Sequence, residues 1–249
     1  MITSSCENEH GGQRLKKQEH EYFELRDNMI KEIPGTEFLK SPCLYLDRLI
    51  LSLILTRIHL FEMIKEIPGS IVECGVYKGN SLALFQHLSS IYEPYNFKRR
   101  IIGFDTFEGF PSVSSKDSSI AKPGRLNDTN YEHIKKWTEL HDKNRPIGHI
   151  PKVDLIKGDA IQTIPEYCKK NPHLIISLLY LDFDLYEPTK VALEHLLPLV
   201  PKGGIVAFDE LHHDLWPGET EALKEKLEIS KLPLKKFAYE PHVTYYKVN

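Results

Sequence analysis

Residues 180–210, YLDFDLYEPTKVALEHLLPLVPKGGIVAFDE, constrain this chain more than any other stretch, because they read as strand, helix, strand with both strands running out into acid. Asp182 and Asp184 follow the first strand, and Asp209 and Glu210 follow the second. Parallel strands joined by one helix lie close together, and ligands of open α/β sheets bind beyond the carboxyl ends of the strands. The two acidic ends are therefore expected to face one crevice. Carboxylates gathered there repel one another and call for a cation or a hydroxyl-rich ligand.

The same alternation runs through the chain from Ser70. Strands are expected at 70–74, 100–105, 153–157, 174–182 and 204–209, with helices at 80–90, 161–170, 187–197 and 219–227. Asn80 or Ser81 is the expected cap of the first of these helices. Residues 106–148 form one long connection with a helix near 130–141, and 235–237 with 243–248 read as a closing antiparallel pair. This pattern predicts an α/β fold: a doubly wound, mostly parallel sheet with an antiparallel C-terminal edge strand and N-terminal helices. Residues 1–69 are expected to be a tail and helices serving packing or oligomer contact. Residues 70–249 are the expected ligand-binding domain, with a lid-like insertion at about 112–148.

The N-terminal part carries little patterning before the apolar stripe of Leu46, Leu49, Ile50, Leu53, Ile54, Arg57, Leu60, Phe61 and Ile64, which recurs at helical spacing. Asp47, Arg48, Arg57 and His59 interrupt it, so a packed helix is expected rather than a membrane span. The heptapeptide MIKEIPG occurs at 29–35 and again at 63–69, and each copy is read as a helix exit. A formal net charge of −3 argues against a nucleic acid or anionic membrane partner. Cys6, Cys43, Cys74 and Cys168 lack metal-site or disulfide spacing, and no apolar leader opens the chain, so a cytoplasmic location is expected.

Every strand of the parallel set ends in acid: Glu73, Asp105, Asp159 after Gly158, Asp182, and Asp209 with Glu210. Any one of these could be a simple helix cap, whereas five together describe a site. The first turn, ECGVYKGNS, has Gly75 and Gly79 but Tyr77 where a dinucleotide fingerprint needs its second glycine. Glu73 would repel a pyrophosphate and suits an ammonium or sulfonium. Asp105 suits a ribose diol, since a carboxylate accepts from two hydroxyls.

The blocks VECGVYKGNS, IIGFDTFEGFP, LDFDLYEPTKVALEHLLPLVPKGGIVAFDE and WPGETEAL resemble the macrocin O-methyltransferase family of sugar O-methyltransferases, within the class I S-adenosylmethionine-dependent methyltransferases. The resemblance covers roughly 71–223 and implies the Rossmann-like fold of that class. It implies methyl transfer to a sugar hydroxyl with S-adenosyl-L-methionine and Mg²⁺ or another hard divalent cation. The positions it assigns to the metal are Asp182, Asp209 and Glu210, the last departing from the family's usual Asp. Cofactor binding is expected from Glu73, Gly75, Tyr77, Gly79, Ser81, Asp105, Thr106, Phe107 and Asp159, and Asp182 or His212 is the expected base. The partner is a small sugar-containing acceptor, and the protein is expected to be a homo-oligomer, with a dimer as the first expectation.

Two other functions compete. Asp182-Phe183-Asp184 is also the D-x-D of metal-dependent nucleotide-sugar glycosyltransferases, which do not require Glu73 or an acid at 105. A non-catalytic binding subunit on the same fold would bind ligand without methylating anything. Trp216 is an expected apolar wall or packing group, and Asp184 is expected to turn away or cap the next helix.

Overall fold

The computed structural model describes residues 17–33 and 35–249, which form two compact units, one up to Leu51 and one from Ser52 to Asn249. The first unit holds α1 (Lys17–Ile30), α2 (Glu37–Lys40), α3 (Pro42–Tyr45) and the start of α4 (Arg48–Ile64). Asp47 organises it. One carboxylate oxygen accepts from the backbone N–H groups of Leu49 and Ile50 at 2.9 Å each, and the other from Arg26 Nη1 at 2.5 Å. The first two bonds serve the open N–H groups of α4, an arrangement that stabilises a helix start by about 1 kcal/mol. The expected N-terminal tail lies outside the described residues.

The second unit is built on the sheet order β3-β2-β1-β4-β5-β7-β6. Its parallel strands are β1 (Ser70–Cys74), β2 (Ile101–Asp105), β3 (Val153–Lys157), β4 (Ile176–Leu181) and β5 (Ile205–Phe208). Antiparallel β6 (Lys235–Lys236) and β7 (Thr244–Lys247) close the far edge, as the alternation predicted. The helices are α5 (Asn80–Tyr92), α6 (Tyr131–Asp142), α7 (Ala160–Lys170), α8 (Tyr186–His195) and α9 (Gly218–Lys226).

The central strands are apolar on both faces because both are covered. Leu179, Leu181, Val206 and Phe208 point to one side and pack with Ile164 of α7, Leu193 of α8 and Leu223 of α9. Leu178, Tyr180, Ile205 and Ala207, the alternate residues, pack on the other side with Phe61 of α4, Phe85 of α5 and Ile134 of α6. Among the described residues no helix is long and apolar enough to cross a membrane.

The second MIKEIPG copy does end a helix. Past Ile64 the chain turns through Gly69, and Arg99 fastens this exit: its guanidinium donates to the carbonyls of Ile64, Ile67 and Gly69 at 3.1, 3.0 and 2.9 Å. Glu93 balances the charge at 2.7 Å. Arg99 thus ties together carbonyls at and just beyond the end of α4, where Ile64 O also accepts from Ile67 N.

Candidate active site

The crevice opens where the strand order reverses, between β1 and β4, as expected for a doubly wound sheet. Hydrogen bonding continues one step past the strands. Gly75 N donates to Phe104 O at 2.9 Å, Asp182 N to Cys74 O at 2.8 Å, and Asp209 N to Leu181 O at 2.9 Å. Gly75, Asp182 and Asp209 are therefore successive rungs of one backbone ladder. Residue 75 must be glycine there: its φ is +100°, and a Cβ would lie 1.9 Å from the carbonyl oxygen of Asp182.

On the β1–β2 side, Asp105 ties the glycine turn to its own strand end. Its Oδ2 accepts from Val76 N at 2.8 Å and Tyr77 N at 2.9 Å, and its Oδ1 from Phe107 N at 2.6 Å. These bonds hold Tyr77 and Phe107 at φ +48° and +54°. Thr106 Oγ1 donates to Gly109 O at 2.6 Å, folding the next turn back on itself. Gly79, at φ +80°, precedes α5 with no side-chain cap, so neither Asn80 nor Ser81 caps that helix. The turn reaches α5 through a left-handed glycine instead, and the Ser81 hydroxyl faces Arg57. Asp159 caps α7 by accepting from Ile161 N at 3.0 Å.

Glu73 is buried on β1, and its Oε2 has no hydrogen-bond partner among the described residues. Burial pushes its carboxyl up to about 8, with Arg57 opposing and Asp105 and Asp209 adding to the rise. Asp182 is raised well above the carboxylate range by burial and by the charges of Asp209 and Asp184, again against Arg57.

Arg57 of α4 is the cation at the centre of this group. Its Nε donates to Ser81 Oγ at 3.1 Å, its Nη2 to Asp209 Oδ1 at 3.2 Å, and its guanidinium lies over the Tyr180 ring, 4.9 Å from the centroid. The Tyr180 hydroxyl donates to the same Asp209 oxygen. Burial disfavours the charge on Arg57, yet Tyr180, Asp209, Asp182 and Glu73 keep it firmly protonated.

Beyond β5 the chain crosses to α9. Glu210 N donates to Glu219 Oε2 at 3.3 Å, and Glu219 is itself fully buried and raised well above its ordinary range by burial, Asp209 and Asp184. His212 stands at φ +65° with its N–H on Thr220 Oγ1 at 2.9 Å and its ring exposed. Asp184 lies within electrostatic reach of Asp182, and the cap position of α8 is Leu185, which offers no side-chain bond. Asp117 does that work from the insertion, accepting from Tyr186 N at 2.7 Å. Trp216 is buried against Phe110 with Ala121 and Leu185, a small apolar cluster joining the insertion to the acid-bearing loops.

The structure thus gathers Glu73, Asp182 and Asp209 around one guanidinium, with Gly75 between them. Asp105, Tyr77, Thr106 and Phe107 shape the neighbouring turns. Among the described residues no three His, Cys, Asp or Glu side chains converge closely enough to hold a metal ion. Arg57 and Glu219 escaped the sequence reading as site residues. A charged residue on the buried stripe of α4 was the available signal for the first; nothing in WPGET marks Glu219 as buried.

Residues 58–236 match the macrocin-O-methyltransferase (TylF) family. CalS11, a calicheamicin methyltransferase, has a solved structure with a TM-score of 0.87 and 35% identity, covering 94% of each chain. An apo structure of CalS11, described as a TDP-rhamnose 3'-O-methyltransferase, gives a TM-score of 0.81 at 34% identity over 94% of this chain and 96% of that one. The 8-demethyl-8-(2,3-dimethoxy-α-L-rhamnosyl)-tetracenomycin-C 4'-O-methyltransferase of Streptomyces olivaceus is 27% identical over 148 residues, 58% of this chain and 53% of that protein. The chain thus spans about half the length of the curated relatives it matches, 53% in each case. With the switch-point site and more than half of its length matched, the chain belongs to the macrocin-O-methyltransferase family.

Proposed function

We propose that this protein is an O-methyltransferase that uses S-adenosylmethionine to methylate a hydroxyl of a sugar. The observation that carries this is the division of one crevice into two unlike halves. Glu73 leaves a buried carboxylate oxygen beside the glycine turn, as an ammonium-bearing cofactor without a nearby phosphate requires. Asp182 and Asp209 crowd the other half with oxygen acceptors suited to hydroxyls. CalS11 and the Streptomyces olivaceus relative both carry rhamnose in their descriptions, which supports a sugar as the acceptor.

The acceptor hydroxyl oxygen attacks the methyl carbon of the sulfonium, the carbon–sulfur bond breaks, and its electron pair stays on sulfur as a neutral thioether. The hydroxyl proton passes to Asp182, whose proton affinity is raised by burial and by the charges of Asp209 and Asp184. His212, with an exposed ring, is the weaker candidate.

The residues fit a hard divalent cation through two side chains, Asp182 and Asp209, with Glu210 on the same loop as the further candidate. Mg²⁺ is commonly held by one or two carboxylates while keeping several waters, so the lack of a three-ligand cluster among the described residues is compatible with it. Such a cation would make the alcohol more acidic. Residues 112–148 act as the lid that selects the acceptor. They reach both halves: Tyr77 OH donates to Asp128 at 2.8 Å on one side, and Tyr186 N to Asp117 at 2.7 Å on the other.

Titration calorimetry with S-adenosylhomocysteine, NAD and a UDP-sugar, followed by a methyl-transfer assay on TDP-rhamnose and rhamnosides, tests this function. Binding of the adenosyl ligand alone, with methyl incorporation into a sugar, is the expected result. Binding of the UDP-sugar in its place would favour a glycosyltransferase.

A further inference from the structure

Two buried ionisable groups, one basic and one acidic, each keep one atom without a partner among the described residues. They are Nη1 of Arg57 and Oε2 of Glu73. Both side chains are more than nine-tenths buried, at 5% and 2% exposure. They do not bond to each other. Arg57 spends its other nitrogens on Ser81 and Asp209, while Glu73 lies two residues before Gly75 at the end of β1. A buried donor of a charged group without a partner is costly, so such atoms point to a ligand or an ordered water.

From this complementary pair we infer that Arg57 receives the carboxylate of the cofactor's amino-acid end, while Glu73 receives its ammonium. The proposal rests on the S-adenosylmethionine assignment above and adds to it a residue from α4, outside the strand ends. A second feature favours an anion in the same region. Arg57 bonds Ser81 in the first turn of the 13-residue α5, whose preceding Gly79 supplies no side-chain cap. Helix starts of this kind attract carboxylates. Arg57 is then shared between the cofactor and Asp209. It is a binding residue on one side and a positioning residue on the other.

The test compares S-adenosylmethionine with its decarboxylated form, by calorimetry, in wild type and in Arg57→Gln. Decarboxylation should weaken wild-type binding roughly 10- to 100-fold, the scale of a lost charge-assisted hydrogen bond, and Arg57→Gln by no more than about threefold. Taking the ratio within each protein cancels any general weakening caused by the substitution. An equal loss in both proteins overturns the assignment. If Arg57→Gln does not fold, a crystal structure of wild type with S-adenosylhomocysteine decides, since a water rather than a carboxylate oxygen on Nη1 overturns it equally. Failure of wild type to bind S-adenosylhomocysteine at all would instead refute the methyltransferase assignment.

Discussion

Residue 75 and the carbonyl of Asp182 are so close that a single methyl group at position 75 would sit 1.9 Å from that oxygen. Backbone, not a flexible side chain, occupies the space, and the φ of +100° strains any other residue. Gly75→Ala should therefore push β1 and β4 apart at the crevice and cost about 2–4 kcal/mol. A fall of roughly 4–16 °C in Tm, with loss of S-adenosylhomocysteine binding, is expected by calorimetry. A variant with unchanged melting and binding would show that the two strand ends are not held this tightly.

Asp182 and Asp209 differ in what restrains them, and their substitutions should differ accordingly. Asp182→Asn should lower methyl transfer by about 10²–10⁴-fold, the usual scale for a lost general base, with little change in S-adenosylhomocysteine affinity. Asp209→Asn also weakens the anchor for Arg57 Nη2 and the Tyr180 hydroxyl, so it should lower stability as well as activity. EDTA treatment and Mg²⁺ add-back, followed by direct Mg²⁺ titration of both variants, separates the roles. Full activity after chelation would remove the cation from the proposal.

Glu73 gives a pH signature. Its carboxyl titrates at about 8 in the folded protein, against roughly 4.3 for an unfolded glutamate. Between these values the native state holds the extra proton. Stability from this group is therefore fully present below the unfolded value and is lost as pH rises through about 8. Wild type should lose Tm relative to Glu73→Gln between roughly pH 5.5 and pH 8.5. Parallel melting curves for the two proteins across that range would contradict it.

Asp117 joins the insertion to α8. Its two carboxylate oxygens accept from Tyr186 N at 2.7 Å and Ser114 N at 2.6 Å. Asp117→Ala should cost about 1–2 kcal/mol and loosen the insertion locally. Faster amide exchange around Ser114 and a higher KM for the acceptor, with cofactor affinity preserved, are expected. A change in cofactor affinity alone would place the insertion's role elsewhere.

Much of this architecture was legible in the residues. Buried runs such as ISLLYL and IVAF are too short for helices, and each stops at acid, so the strand ends and their common crevice followed from pattern alone. Arg57 did not. Helical spacing placed it on the packed stripe of α4, but its partner Asp209 lies 152 residues away, and no local periodicity carries that pairing. The cap of α5 was misassigned for a related reason. Asn80 and Ser81 have capping side chains, yet the left-handed Gly79 sets the entry and Ser81 is claimed by a distant guanidinium. Glu219 is hidden similarly, since an acid in the first turn of a helix is ordinarily solvated and this one is buried beneath Glu210.

The exit of α4 gives the crevice a remote dependence. Arg99 grips the carbonyls at the end of that helix on the amino side of the sheet, two turns from Arg57, whose side chain reaches the carboxyl side. The helix works as a rigid ruler pinned at one end: its length and its pinned end together set how far the guanidinium extends into the crevice. The spacing between Ile64 and Arg57 is then a functional dimension, and inserting or deleting one residue between them would rotate the guanidinium by about 100° away from the crevice.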